Sequence, residues 1–161
     1  MSVETFSGWL YETPFSTALR DTDWVIPTVQ TIHILAIGVV FGSALISDLR
    51  LAGVLATQET PATVVRRYLP WMWTALVVLL LTGLLMVLAE PGRTLGNVVF
   101  WSKMALVLLA FALTLFFRKP LLDPAFQAEH ARWRKATKPA AWLSLAVWVT
   151  VIFCGRWIAY A

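Results

Sequence analysis

The chain has 161 residues, of which 59% are hydrophobic and 14% are charged, and its formal net charge is +4. An average soluble protein carries about 25% charged residues, so the composition excludes an ordinary soluble domain and indicates an integral membrane protein. The positive charge lies in short connectors beside apolar segments, where membrane topology explains it, and no nucleic-acid partner is inferred.

Residues 1–24 form a segment of mixed polarity ahead of the first long apolar stretch. Its apolar residues are interleaved with polar ones: Phe6, Trp9, Leu10, Phe15 and Leu19. Thr13-Pro14 predicts a helix start, because threonine is a good N-cap and proline fits the first helical position. We expect one or two short interfacial helices here, acting as an anchor or as a lid over a site.

Four apolar stretches follow, each about as long as a helix needs to cross the hydrocarbon core of a bilayer. The predicted fold is therefore all-α, a four-helix transmembrane bundle with a short N-terminal interfacial helix, and residues 1–161 make one integral membrane domain. Pro61 is expected to begin a short basic helix that runs into the second span, and residues 127–138 a cytoplasmic helix before the fourth. The predicted spans are 25–47, 69–89, 98–117 and 139–160.

The distribution of lysine and arginine predicts the orientation. The connectors after the first and third spans carry nine of the 13 basic residues: Arg50, Arg66, Arg67, Arg118, Lys119, Arg132, Arg134, Lys135 and Lys138. The other four are Arg20, Arg93, Lys103 and Arg156. By the positive-inside rule, the basic connectors are cytoplasmic and both termini are periplasmic, in a bacterial inner membrane.

Ionisable residues within or next to the spans predict a site. His33 is eight residues, or about 12 Å, into the first span, and Lys103 and Arg156 lie near the same side of the membrane. An ionisable residue inside a span is a functional-site hypothesis by default. We therefore expect a polar pocket on the periplasmic side. Its candidate ligand-binding residues are His33, Gln30, Lys103, Arg156, Trp101, Trp157 and Glu90.

A purely structural role for these residues is the alternative. Lys103 and Arg156 would then extend to the lipid headgroups, as long basic side chains near helix ends do. His33 would make a structural hydrogen bond to Gln30 or to a nearby backbone group.

Haem, a quinone and copper are the candidate ligands. The chain has two histidines, His33 and His130, and they lie at different depths, which excludes bis-histidine haem ligation within one chain. His33 with Met86 or Met104, or His33 paired across a homodimer, remains open for haem. A quinone carbonyl would take a hydrogen bond from a His or Trp donor. Copper(I) would suit His33 with the soft thioethers of Met86 and Met104.

Three further signals concern packing within the spans. Gly38 and Gly42 form a GxxxG pattern, which predicts close approach by another helix of the bundle or a dimer seam. Trp148, in the middle of the fourth span, is expected to face the bundle and to donate to an acceptor there. Asp48, at the inner end of the first span, is expected to pair with Arg66, Arg67 or Arg118.

Several strings resemble a family of small, uncharacterised bacterial four-helix inner-membrane proteins: Asp23-Trp24-Val-Ile-Pro27, His33-Ile-Leu-Ala36, Ser47-Asp48-Leu-Arg50 and Gly155-Arg156-Trp157-Ile-Ala-Tyr160. The architecture is also similar to that of copper-resistance D and cytochrome b561-like bundles, without their paired haem histidines. The resemblance implies a location and a fold, and it implies no activity.

No motif of a soluble enzyme is present, such as a phosphate-binding loop or a zinc-protease helix. We therefore expect a small multi-pass subunit or binding protein, not an enzyme by itself, whose partners are the lipid bilayer and a second copy or another membrane protein. The alternative is a redox membrane protein that binds haem or a quinone through His33.

Overall fold

The computed structural model describes residues 2–118, 120–123 and 131–157, the last without the side chains of 131–134. The described part consists of helices joined by turns and short loops, with no strand, which confirms the all-α prediction. The predictions for Lys119, for residues 127–130 with His130, and for the end of the fourth span at 158–160 fall outside the described residues.

Seven α-helices make up the described fold, and four of them are long and apolar enough to cross a membrane. This supports a multi-pass membrane protein. A π-helical turn, Thr114–Arg118, and a 3-10 turn, Pro120–Leu122, continue α6. The helices are α1 Val3–Tyr11, α2 Pro14–Asp21, α3 Val25–Ala52, α4 Pro61–Ala89, α5 Pro91–Leu95, α6 Val98–Leu113 and α7 Ala131–Trp157.

Three of the four long helices, α3, α4 and α7, extend beyond the predicted spans. The first runs five residues past the predicted end and stops at Gly53, whose φ of 81° is readily adopted by glycine. As predicted, Pro61 begins a helix that continues into the second span. The described part of the predicted cytoplasmic helix, from Ala131, and the fourth span form one helix, α7, which passes through Pro139. A proline removes one backbone hydrogen bond, and here the helix continues despite that loss.

The helices alternate in direction, which gives the bundle two different ends. At the "hairpin end", α3 begins, α4 and α6 are joined through α5, and α7 ends. At the "basic end", the α3–α4 connector, the π turn and the start of α7 lie together. Helix α3 packs mainly against α4 and α7, and α7 also packs against α6. The core residues are Val40, Ala44, Met72, Ala75, Ala110, Val147, Trp148 and Val151.

Two packing predictions have opposite outcomes. Trp148 is 4% exposed and belongs to the core, so its prediction to face the bundle is confirmed. Its indole N–H has no acceptor among the described residues. The predicted close approach at Gly38 and Gly42 within the bundle is wrong, since a Cβ added at either position would meet no described atom within 4 Å. These glycines lie off the face of α3 that α4 and α7 cover, and a dimer seam there stays a prediction.

The two N-terminal helices pack at the hairpin end. Helix α2 begins at Pro14 with Thr13 as its N-cap, as predicted. The buried Ser16 hydroxyl donates to the Leu88 carbonyl at 2.7 Å, and Arg20 Nη1 donates to Ser16 Oγ at 2.6 Å and to the Ala89 carbonyl at 3.3 Å. The last carbonyls of a helix lack partners within it, so α2 supplies donors to the end of α4. These contacts favour an anchoring role for the N-terminal helices over a role as a lid.

A buried ion pair joins the helices at the basic end. Asp48 is 1% exposed and Arg118 is 3% exposed. Arg118 donates from Nε to Asp48 Oδ1 at 3.1 Å and from Nη2 to Oδ2 at 2.6 Å. Nη2 also lies 3.2 Å from Ser144 Oγ, and Nη1 lies 3.0 Å from Met72 Sδ. Asp48 therefore pairs with one of its three predicted partners, and the pair connects α3, α4, α7 and the π turn.

Candidate functional site

His33 is half-buried on the face of α3 that the bundle covers, where Val29, Ala36 and Val40 are buried. Its Nδ1 lies 2.8 Å from the hydroxyl oxygen of Thr82 on α4. The expected alternative bond to Gln30 is wrong, because Gln30 lies 100° around the helix from Val29 and is exposed. His33 is thus fixed by the neighbouring helix and not by its own.

The contacts of Thr82 determine which ring nitrogen of His33 carries a proton. Thr82 Oγ1 lies 2.7 Å from the Val78 carbonyl oxygen. A hydrogen must lie between these two oxygens, and only the threonine hydroxyl has one to donate. The same hydroxyl must then accept from His33, so Nδ1 carries the N–H. In the neutral ring the lone pair is therefore on Nε2.

Each polar side chain of the site lies against a glycine of the adjacent helix. A Cβ placed on Gly83 of α4 would lie 3.6 Å from His33 Cε1. A Cβ placed on Gly155 of α7 would lie 3.5 Å from Lys103 Nζ and 3.6 Å from Lys103 Cε. These are ordinary van der Waals distances, so an alanine would fit, whereas a larger side chain would occupy the space beside the imidazole or the ammonium.

Lys103 is half-buried in α6, and its ammonium lies against Gly155 of α7. It has no hydrogen bond to another residue in the described part of the chain. We call His33, Thr82, Gly83, Lys103 and Gly155 the "hairpin site". It combines a lone pair and a cation, carried by α3 and α6 and bordered by α4 and α7.

The other predicted site residues lie at the surface of the described chain. Trp101 Nε1 donates to the Leu95 carbonyl at 2.9 Å, and Trp157 stacks on Phe153 at a centroid distance of 5.4 Å. Gln30, Glu90, Trp101, Arg156 and Trp157 are exposed, and Met86 and Met104 are partly exposed. A common pocket for His33, Lys103 and Arg156 stays a prediction.

No group of three or more His, Cys, Asp or Glu side chains suitable for a metal occurs among the described residues. A copper or haem site at His33 would therefore depend on a methionine or on a second copy for its other ligand. A surface depression lined by Ala62, Thr63, Arg66 and Arg67 lies at the basic end, about 24 Å along α4 from Thr82. It is separate from the hairpin site.

Sequence reasoning missed Thr82, Gly83 and Gly155 as parts of the site. A signal for two of them was present, because Thr82 and Gly83 are the only polar residue and the only glycine between Ala75 and Ala89. A threonine and a glycine side by side in an aliphatic helix indicate a contact with a polar group of another helix. Gly155 lies beside Arg156 and Cys154, so its neighbours in the sequence give no comparable signal.

Comparison with known proteins gives a family and no further relatives. No curated protein and no solved structure matches the chain. These comparisons therefore give no link to copper-resistance D or cytochrome b561. The model of one family matches residues 11–161. Since that match covers nearly the whole chain, the protein belongs to DUF6644, a family of unknown function.

Proposed function

We propose that this protein is a small multi-pass subunit or binding protein of the bacterial inner membrane, and that its hairpin site binds a ligand. By itself it would not be an enzyme; it would act with a second copy or with another membrane protein. The observation that carries the proposal is the pair of polar side chains, His33 and Lys103, each lying against a glycine within an apolar helix bundle.

The free energies of polar groups in a membrane support this proposal. A charged side chain in the bilayer costs several kcal/mol unless it is paired or hydrated. At the basic end that cost is offset by the Asp48–Arg118 pair. Neither the ammonium of Lys103 nor Nε2 of His33 has a hydrogen bond to a described residue, so water or a ligand would have to supply one. A site that leaves such groups unmatched is explained by binding better than by packing.

The proposal includes the orientation of the chain in the membrane, which we infer from the basic connectors: they are cytoplasmic and both termini are periplasmic. A reporter fused after residue 161 should be active in its periplasmic form and inactive in its cytoplasmic form. A reporter inserted in the Ala56–Thr60 loop should behave in the opposite way. Cytoplasmic activity of the C-terminal fusion would place the hairpin site on the other side of the membrane.

The binding proposal is tested on purified protein by extracting and identifying small molecules that co-purify with it. The wild type is compared with His33→Phe, which keeps a ring but removes both nitrogens. Thr31→Ala is the matched control, because Thr31 is an exposed residue of the same helix whose hydroxyl bonds only to the Pro27 carbonyl. A compound retained by the wild type and the control but lost from His33→Phe supports the proposal. Identical extracts from all three would contradict it.

A redox protein that binds haem or a quinone is the second candidate, and the fixed ring of His33 favours it. A hydrogen bond at Nδ1 is the usual way to orient a histidine that ligates through Nε2. The absorption spectrum of the detergent-solubilised protein, with and without added haem, tests the haem form.

A further inference from the structure

The surface of the basic end carries a different candidate site, and the inference drawn from it goes beyond the proposed function, which concerns the hairpin site. The depression on α4 has a volume of about 450 Å³ and is lined by Ala62, Thr63, Arg66 and Arg67. Helical side chains lean towards the preceding turn, so the two arginines lean towards the turn that carries the small side chains of Ala62 and Thr63. The depression is therefore open at its centre and has two cationic side chains at its border.

Both arginines have hydrogen-bond donors available for a ligand. Arg66 is exposed and makes no hydrogen bond or ion pair to another residue in the described part of the chain. Arg67 donates to the Glu59 carboxylate, from Nη1 at 3.2 Å and from Nη2 at 2.7 Å, in an exposed pair. A guanidinium has five N–H donors, so these two bonds leave Arg67 with donors for a further anion.

A phosphate group is the anion that suits this arrangement. Arginine presents its donors in a planar fork, which matches two oxygens of a phosphate at once. Arg66 and Arg67 outnumber the one carboxylate bonded to them, that of Glu59, so one positive charge remains to be matched. A ligand with a single negative charge on a phosphate provides that match.

An exposed apolar stripe of α4 continues from the depression towards the middle of the helix. At 100° per residue, Val77 and Leu81 lie on the side of the helix that Arg66 and Arg67 share, and each is 56% exposed. Trp71, one turn beyond Arg67, is 65% exposed, as is usual for tryptophan at a membrane–water boundary. The stripe from Trp71 to Leu81 is about 15 Å long, which is half of the ~30 Å hydrocarbon core and so the thickness of one leaflet.

We propose that the depression binds the phosphate of an anionic phospholipid, phosphatidylglycerol. Arg66 and Arg67 donate to the phosphate oxygens, and the acyl chains lie along the stripe of Val77 and Leu81. Phosphatidylcholine adds a positive group beside the arginines and has no net charge, so it binds less well. Inorganic phosphate has the same oxygens but makes no contact with the stripe. The site requires only that the basic end lies in a headgroup layer, so it is the same for either orientation of the chain.

Native mass spectrometry of the full chain in detergent tests the choice of lipid. The protein is titrated with phosphatidylglycerol or with phosphatidylcholine of the same acyl chains. The wild type should bind the first molecule of phosphatidylglycerol about tenfold more tightly, since each basic residue near a membrane surface favours anionic lipid about fivefold. Equal affinities for the two lipids would overturn the inference.

A pair of double variants tests the position of the site. Arg66→Gln with Arg67→Gln should weaken the binding of phosphatidylglycerol about twentyfold. The matched control is Lys135→Gln with Lys138→Gln, which removes two exposed positive charges from α7 at the same end and should weaken binding by less than about twofold. Both double variants should keep the wild-type melting temperature, because all four side chains are exposed. Equal losses of affinity would show that the net charge of this end attracts the lipid, and would overturn the inference.

Two further measurements separate the lipid from free phosphate and test the role of Arg67. Inorganic phosphate, added at the concentration of the lipid, should not displace phosphatidylglycerol. If it does, the depression is a site for free phosphate and the lipid assignment is wrong. Glu59→Gln removes the carboxylate that competes for Arg67 and should tighten the binding of phosphatidylglycerol about twofold. Weaker binding by this variant would overturn the role given to Arg67.

Discussion

The two ends of the bundle treat charged groups in opposite ways. At the basic end, Asp48 and Arg118 are almost completely buried and make two hydrogen bonds to each other, with Ser144 and Met72 filling the remaining contacts. At the hairpin end, His33 and Lys103 are half-buried, and glycines occupy the positions beside them. At the basic end the charged groups bind to each other. At the hairpin end His33 Nε2 and the Lys103 ammonium have no hydrogen bond to another described residue. We infer that the basic end holds the helices together and the hairpin end binds.

The largest expected effect is at the basic end. Asp48→Asn keeps the shape of the side chain but leaves the Arg118 guanidinium buried without its carboxylate. Breaking a buried pair in this way typically costs about 3–5 kcal/mol. Chemical or thermal unfolding of the detergent-solubilised protein should show this loss.

Two control variants complete that measurement. Glu59→Gln removes the carboxylate of the exposed Arg67–Glu59 pair and should leave the melting temperature unchanged. Asp48→Leu combined with Arg118→Met replaces both charges by apolar groups and should be more stable than Asp48→Asn alone. If Asp48→Asn has the same melting temperature as the wild type, the pair does not hold the helices together, and the contrast drawn between the two ends is wrong.

A smaller loss is expected at the junction of α2 with α4. Ser16→Ala removes the hydroxyl that donates to the Leu88 carbonyl and accepts from Arg20. Since Ser16 is fully buried, the lost hydrogen bonds should cost about 1–2 kcal/mol. Proteolysis of the N-terminal helices at increasing temperature measures it. The control is Ser102→Ala, whose exposed hydroxyl bonds within its own helix; equal protease sensitivity of the two variants would contradict the anchor.

The hairpin site should matter less for folding than for binding. His33→Phe and Lys103→Met each remove a half-buried polar group, and we expect each to change the free energy of unfolding by less than about 1 kcal/mol. The same unfolding assay as for Asp48→Asn checks it. A loss as large as that of Asp48→Asn would show that the hairpin end is also a structural centre, and the division between the two ends would be wrong.

The sequence predicts the helices well because an apolar stretch of membrane-spanning length has few alternative structures to a helix. It does not predict the π turn at Thr114–Arg118, since the apolar run through Leu115, Phe116 and Phe117 is unbroken and a π turn differs from an α turn only in its hydrogen-bond register. Asp48 was expected to be paired, but three arginines were open to it. The choice of Arg118 depends on how α3, the π turn and α7 pack.

At the hairpin site, too, the partners of the predicted residues depend on how the helices pack. His33 is identifiable because an ionisable residue within a span is costly, and Lys103 because it shares its depth. Thr82 and Gly83 acquire their roles only when the register of α3 against α4 is known, since that register decides which α4 residues face the imidazole. Gln30 was expected beside His33 because they are three residues apart, but the buried face of α3 is too narrow to include it.

The smallest expected effect on stability is at the Gly38 and Gly42 face of α3, which neither α4 nor α7 covers. Gly42→Leu adds a large side chain where no described atom lies within 4 Å of the new Cβ. Within one chain this should leave the melting temperature unchanged, because overpacking requires a neighbour to displace. Light scattering of the detergent-solubilised wild type and variant gives their oligomeric states. A dimer of the wild type that Gly42→Leu dissociates would place the GxxxG face at a dimer seam, and its binding partner would be a second copy. A fall in the melting temperature of a monomeric variant would instead mean that another helix of the same chain covers this face, which would contradict the packing described for α3.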